Sequence, residues 1–150
     1  MSQDALAWAR DVRGLSEATL ARLPVGSGTM FFPDVGQKLP GVFFQYREGW
    51  KARTYPEKAF VAGGGLKLSF WKLDAVLQGD MARVFIVEGE LDVCALVEAG
   101  VPPQYVLSVP NGAKERPADD PKEQREYPCM LKMNYKLNDG RYVSADYEGY

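Results

Sequence analysis

Carboxylates crowd the segment Glu88-Gly89-Glu90-Leu91-Asp92, directly after the apolar run Val84-Phe85-Ile86-Val87. In an open α/β sheet, ligands bind outside the carboxyl ends of the strands. An acidic turn at such an end is built to hold a divalent metal next to phosphates. Gly89 is expected to let the chain turn tightly and a ligand approach. Asp92 lies four residues beyond Glu88, in the first turn of a helix, where the helix dipole favours a carboxylate. The plainer reading is that Glu90 and Asp92 stabilise the helix start and that Glu88 is a solvated turn residue. A second loop, Ser108-Val109-Pro110-Asn111-Gly112-Ala113, would lie beside the first. Its backbone N–H groups and Asn111 suit a phosphate-approach surface, and an ordinary turn is the alternative.

The second chemical feature is basic. Lys51 and Arg53 alternate along Trp50–Tyr55, and strand periodicity puts them on one face. Lys58 and Lys67 follow. Between Asp34 and Lys72 the lysines and arginines outnumber the acids in a chain whose net charge is -2. That asymmetry is expected of a phosphate-facing surface, although alternating charge on a hairpin is also what an ordinary solvated face carries. Trp50, Tyr55 and Trp71 are candidates to stack on bases or to fill the core of a small β lobe.

The elements that must position these residues follow from period and punctuation. Asp4–Val12 carries apolar residues at helical spacing and Gly14 ends the run. Ser16 caps a second short helix containing Leu20 and Leu23. Pro24 and Gly26-Ser27-Gly28 then break the pattern. Thr29–Phe32 and Val42–Tyr46 read as strands. Glu48-Gly49 is a turn, and Trp50–Tyr55 completes an antiparallel hairpin with one wet face that carries Lys51 and Arg53. Gly63-Gly64-Gly65 is a break, and Leu73–Leu77 a short helix. Arg83–Val87 has no polar interruption past its first residue, which predicts a parallel strand covered on both faces. Leu91–Ala99 is a helix with Leu91, Ala95, Leu96 and Ala99 inward, closed by Gly100. Tyr105–Val109 is the next strand, parallel to the first. Lys114–Pro128 is charged and proline-punctuated and reads as an exposed loop. Asn138-Asp139-Gly140, flanked by Met133–Leu137 and Arg141–Ser144, signals a hairpin.

Composition sets limits. The length of 150 residues allows one domain or two small lobes. Cys94 and Cys129 are the only cysteines and there is no histidine, so a structural zinc site has too few ligands. Acid–base work falls to carboxylates, lysine, tyrosine or metal-bound water. The sequence carries neither an apolar run of membrane-spanning length nor an export signal. With no disulfide framework, a cytoplasmic location is expected.

Val87-Glu88-Gly89-Glu90-Leu91-Asp92-Val93-Cys94-Ala95-Leu96, followed by Ser108-Val109-Pro110-Asn111-Gly112-Ala113, resembles the start of a TOPRIM domain. That domain is shared by bacterial-type primases, topoisomerases and small nucleases. The Glu-Gly-Glu-x-Asp variant with a Ser-Val-Pro-Asn-Gly loop looks most like bacteriophage and mitochondrial primase-helicases. Arg13-Gly14-Leu15-Ser16-Glu17-Ala18-Thr19-Leu20 resembles an early helix of that family, and Lys51-Ala52-Arg53 its basic strand. The resemblance covers roughly residues 10 to 113.

The resemblance implies an α/β fold, an α+β N-terminal lobe (1–80) followed by a partial TOPRIM-like Rossmannoid parallel sheet (81–113) and an atypical tail (114–150). It implies a DNA primase-type nucleotidyltransferase with Glu88 as catalytic general acid/base or metal ligand. Asp92 would support the same magnesium centre. Lys51, Arg53, Lys58, Lys67 and Asn111 would meet nucleotide or DNA phosphates. Magnesium would serve the transfer by activating the 3′-hydroxyl and stabilising pyrophosphate. Single-stranded DNA and nucleoside triphosphates are the implied partners, with a replicative helicase as a further one. A complete TOPRIM domain carries a later Asp-x-Asp, which this sequence lacks. Asp146 and Glu148, after Tyr142–Ala145, are the nearest candidates, with an unrelated tail as the alternative reading. No Walker A motif and no cysteine-rich module occur, so a fragment or truncated homologue of a larger replication protein is expected, with an inactive form among the readings. A TOPRIM nuclease and a non-enzymatic binding module for single-stranded nucleic acid or the replisome are the competing functions.

Overall fold

The computed structural model describes residues 1–55, 57–63, 65–66, 69–79 and 83–109, and the backbone of 133–136 and 142–145. Residues 1–113 form one compact unit and residues 114–150 another. Within the described residues the chain is a mixed α/β protein. A four-stranded antiparallel sheet and a two-stranded parallel sheet are packed with helices.

Helix α1 (Gln3–Arg13) starts at Ser2, whose hydroxyl accepts from the Ala5 N–H, and stops at Gly14, which takes the left-handed conformation at φ 66°. Helix α2 (Glu17–Leu20) is capped by Ser16 in the same way. Ser16 also donates from its backbone N–H and its hydroxyl to Glu98 at 2.8 and 2.9 Å. Strands β1 (Val25–Phe32), β2 (Gln37–Tyr46), β3 (Gly49–Thr54) and β4 (Phe60–Ala62) pair antiparallel in that order. Gly26-Ser27-Gly28, expected to be a break, lies inside β1. The glycine is needed there for room: a Cβ on Gly26 would sit 2.1 Å from the Phe43 ring of the neighbouring strand. The β2–β3 hairpin closes with Tyr46 opposite Gly49, whose φ of 105° demands glycine.

Register reverses one expectation. Arg53 pairs with Val42 and Lys51 with Phe44, and directly opposed residues share a face. Val42, Phe44 and Tyr46 are buried against the helices. The face carrying Lys51 and Arg53 is therefore packed rather than wet, and the opposite face is buried as well, with Ala52 and Thr54 0% and 1% exposed. Long stems can lie on apolar neighbours while the charged heads reach the rim or a partner.

Helix α3 (Leu73–Leu77) follows, then β5 (Phe85–Val87), α4 (Glu90–Glu98), a 3-10 turn (Pro103–Tyr105) and β6 (Val106–Ser108). β5 and β6 are parallel, as the strand–helix–strand order predicts. Trp71 bridges to Ser108 on the other side of β6. Its indole N–H donates to the Gln45 carbonyl at 2.9 Å, tying the two sheets together. β6 is thus the buried strand. β5 is not: Phe85 and Ile86 are 37% and 46% exposed. Among the described residues β5 pairs only with β6, and an apolar run does not say which strand is central.

Helix α4 buries Glu90, Val93, Cys94 and Val97. Leu91 and Leu96 are half-buried, and Ala95 and Ala99 are exposed, against the expectation that all four face inward. The helix is apolar nearly all round, so its rotation is chosen by its partners. One core runs through Ala9, Leu20, Phe44, Trp71, Val93 and Val106. No helix among the described residues is long and apolar enough to cross a membrane. In the second unit, β7 (Met133–Lys136) and β8 (Tyr142–Ala145) pair antiparallel, the hairpin expected around Asn138-Asp139-Gly140.

Candidate functional site

The acidic turn leaves β5 at Val87 and enters α4 at Glu90, so Glu88 stands at the carboxyl end of a parallel strand. Its side chain is exposed. Asp92 is exposed as well, and one of its oxygens accepts the Gly89 N–H at 2.9 Å. That bond satisfies a donor at the helix start, the plainer of the two roles the sequence allowed. Gly89 has φ −138°, open to any residue, and a Cβ there would meet only Asp92 Oδ2 at 3.3 Å. Neither a tight turn nor a close approach within the chain requires this glycine.

Glu90, expected only to stabilise the helix start, is the buried carboxylate. Its Oε1 receives the Tyr46 hydroxyl at 2.5 Å and lies 2.9 Å from Lys51 Nζ. The Lys51 and Glu90 side chains are 16% and 6% exposed. Burial, with the neighbouring Glu90 carboxylate second, pushes the Tyr46 phenol well above its ordinary range, so Tyr46 is a fixed donor. Lys51 is thereby engaged with a protein carboxylate, and the ion pair joins the basic strand β3 to the first turn of α4. Nothing in the sequence links Tyr46, Lys51 and Glu90, which lie on three separate elements.

Arg53 has a different environment. Its guanidinium lies 5.5 Å from the Trp8 ring centre, and Arg13 lies 5.5 Å from the same ring. Trp8 is also stacked on Tyr55 at 5.4 Å. Burial, then the charge of Arg13, lowers the Arg53 pKa. Arg53 Nε is buried without an acceptor, and neither arginine is ion-paired to a carboxylate among the described residues. Two guanidiniums sharing one aromatic ring without a counter-ion form a ready oxyanion site. Lys58 is exposed and lies 5.7 Å from the Phe60 ring, with Lys51 at 5.3 Å. Arg13 and Trp8 were not among the expected site residues. Their place in α1 opposite β3 arises only from packing.

Trp71 is fully buried and Tyr55 is stacked on Trp8, so both serve the core rather than an open stacking surface. Lys67, Asn111, Asp146 and Glu148 lie outside the described residues. Among the described residues no cluster of three or more potential metal ligands occurs. Glu88 and the free oxygen of Asp92 could supply part of a magnesium donor set, since that ion is commonly held by one or two carboxylates and completed by phosphates and water. Ser108 Oγ, at the end of β6, is fully buried and also lacks a partner among the described residues.

No protein-family model matches the chain, and no curated protein or solved structure matches it.

Proposed function

We propose that the chain is the core of a primase-type nucleotidyltransferase, with a basic N-terminal lobe and a partial TOPRIM-like lobe, acting on single-stranded DNA and nucleoside triphosphates in the cytoplasm. The observation that carries this reading is the Lys51–Glu90 ion pair at 2.9 Å, which holds the basic strand against the acidic turn. Polymerisation on a template needs both in one place: cations for phosphates and a carboxylate where the 3′-hydroxyl is deprotonated. Glu88, exposed at the strand end, is the candidate acid–base residue. Arg13, Arg53 and Lys58 are the candidate phosphate contacts. Magnesium, when bound, would supply charge stabilisation of the leaving pyrophosphate. A replicative helicase is a further proposed partner.

A primer-synthesis assay with magnesium, a single-stranded template and labelled nucleotides tests the proposal. Product is expected from the native chain and not from Glu88→Gln. Product that survives this substitution removes Glu88 from the chemistry.

A second reading, a binding module without catalysis, is favoured by one observation. Of the carboxylates in the acidic turn, Glu90 is committed to Lys51 and Tyr46, and Asp92 to the Gly89 N–H. Salt-sensitive binding of single-stranded DNA, weakened by Arg53→Ala, without synthesis or cleavage would establish that reading. Cleavage of single-stranded DNA without nucleotides would establish the nuclease instead.

A further inference from the structure

A cavity of about 670 Å³ lies between the β2–β3 turn, the chain after α2 and helix α3. None of residues 88–92 lines it, and Tyr46, whose hydroxyl reaches Glu90, forms part of its wall. Its apolar walls include Pro24, Phe70, Leu73 and Pro103. Its charged walls include Arg22, Arg47, Lys72, Glu48 and Asp74, of which Arg47 and Asp74 pair at 3.5 Å. Arg22 and Lys72 have no carboxylate partner among the described residues.

Lys72 is unusual in two further ways. It is the one non-glycine among the described residues with a positive φ, at 68°. A lysine held there carries backbone strain that glycine would avoid, and such strain gathers at ligand sites. Its ammonium donates to the Pro103 carbonyl, which fixes the head at the cavity wall and leaves two of its N–H groups for a ligand. Burial, and to a lesser degree Arg22, brings its pKa down to about 8. The charge of Arg22 is thus felt at Lys72, with Glu48 and Asp74 on the same cavity walls.

We propose that this cavity is a second anion site, separate from the acidic turn, that takes a mononucleotide: a phosphate between Arg22 and Lys72 and a planar ring against Phe70 and Leu73. The volume lies within the range of small-molecule and cofactor sites, and the combination of an apolar wall with two unpaired cations suits a ring bearing a phosphate better than a bare anion. The site goes beyond the primase-type reading and does not depend on it.

Calorimetric titration of the full chain with AMP, adenosine and inorganic phosphate tests the proposal. AMP is expected to bind more tightly than either fragment. Arg22→Ala and Lys72→Gly should each weaken AMP about tenfold or more, the loss of one charge-assisted contact. Glycine suits the left-handed backbone at position 72, so this variant removes the charge without new strain, and Arg22 is exposed; unchanged thermal unfolding would verify that both fold. Lys38→Ala, which removes an exposed charge on β2 outside the cavity, should leave AMP affinity unchanged. AMP binding lost in Arg53→Ala but kept in Arg22→Ala and Lys72→Gly would overturn the second site and place the anion at the Trp8 arginines. No AMP binding by the native chain would overturn it as well.

Discussion

Removing Lys51 should destabilise the protein through the carboxylate it leaves behind. At 2.9 Å, and with an effective dielectric near 20, the attraction between Lys51 and Glu90 is about 6 kcal/mol before desolvation is counted. Most of that is offset by taking both charges out of water, so the pair as a whole contributes little net stability. Breaking it is different. Lys51→Met would leave a carboxylate whose side chain is 6% exposed with the Tyr46 hydroxyl as its remaining partner. Severing a buried pair costs about 3–5 kcal/mol, and the partial exposure of the lysine head reduces this to about 2–3 kcal/mol. Glu90→Leu should cost at least as much, because it orphans the buried Tyr46 hydroxyl as well as the Lys51 ammonium. The double variant Lys51→Met/Glu90→Leu should recover part of the loss, giving a coupling of about 1.5–2.5 kcal/mol. Urea unfolding of the four proteins, with m unchanged, measures these quantities. Additivity within about 0.5 kcal/mol, or a clearly smaller loss from Glu90→Leu than from Lys51→Met, would refute the reasoning.

Gly41→Ala should lose about 1–3 kcal/mol in the same unfolding assay, since its Cβ would lie 2.9 Å from the Arg53 carbonyl, a backbone atom with no room to move. Gly89→Ala should leave stability within about 0.5 kcal/mol, because φ is −138° and only a side-chain oxygen is near. Primer synthesis lost in that variant at unchanged stability would mean that a ligand approaches Gly89. Cys94 is fully buried, and burial first, then Glu90, pushes its thiol up to about 12. In a Cys129→Ser background it should therefore react with a thiol reagent at pH 8 only at the rate of unfolding, and fast labelling of that native variant would contradict its burial. Lys72 is held at about 8 by burial, against the raising influence of Cys94 and with a lesser lowering from Arg22, and its ordinary value is 10.5. The folded state then binds fewer protons than the unfolded state between those values, so this lysine's contribution to stability rises with pH across that window. The difference in unfolding free energy between the native chain and Lys72→Gly, measured from pH 7 to 10.5, should change in that direction.

The elements were legible wherever local chemistry dictates them. Serine caps and Gly14 set the first helices, Gly49 set the hairpin, and the order of apolar strand, acidic turn, helix and strand implied the parallel pair. The acidic turn and the basic strand were visible because residue type and spacing alone define them. Three things were not visible. What covers the Lys51 and Arg53 face of β3 depends on its register with Val42 and Phe44, and a period of two does not show it. Which stripe of α4 points inward could not be read from a helix that is apolar nearly all round. Which carboxylate of the turn is buried follows from both. Glu90, not Glu88, meets Lys51 and Tyr46 because the sheet lies against that side of the helix.

The sequence by itself determined that an acidic strand-end turn and a basic hairpin exist. Tertiary structure alone decided that they meet through Lys51 and Glu90, that Arg13 joins Arg53 around Trp8, and that Glu88 is left exposed. The physical reason is that charge pairing between distant segments depends on desolvation and distance, and both are set by how the elements pack rather than by their order along the chain.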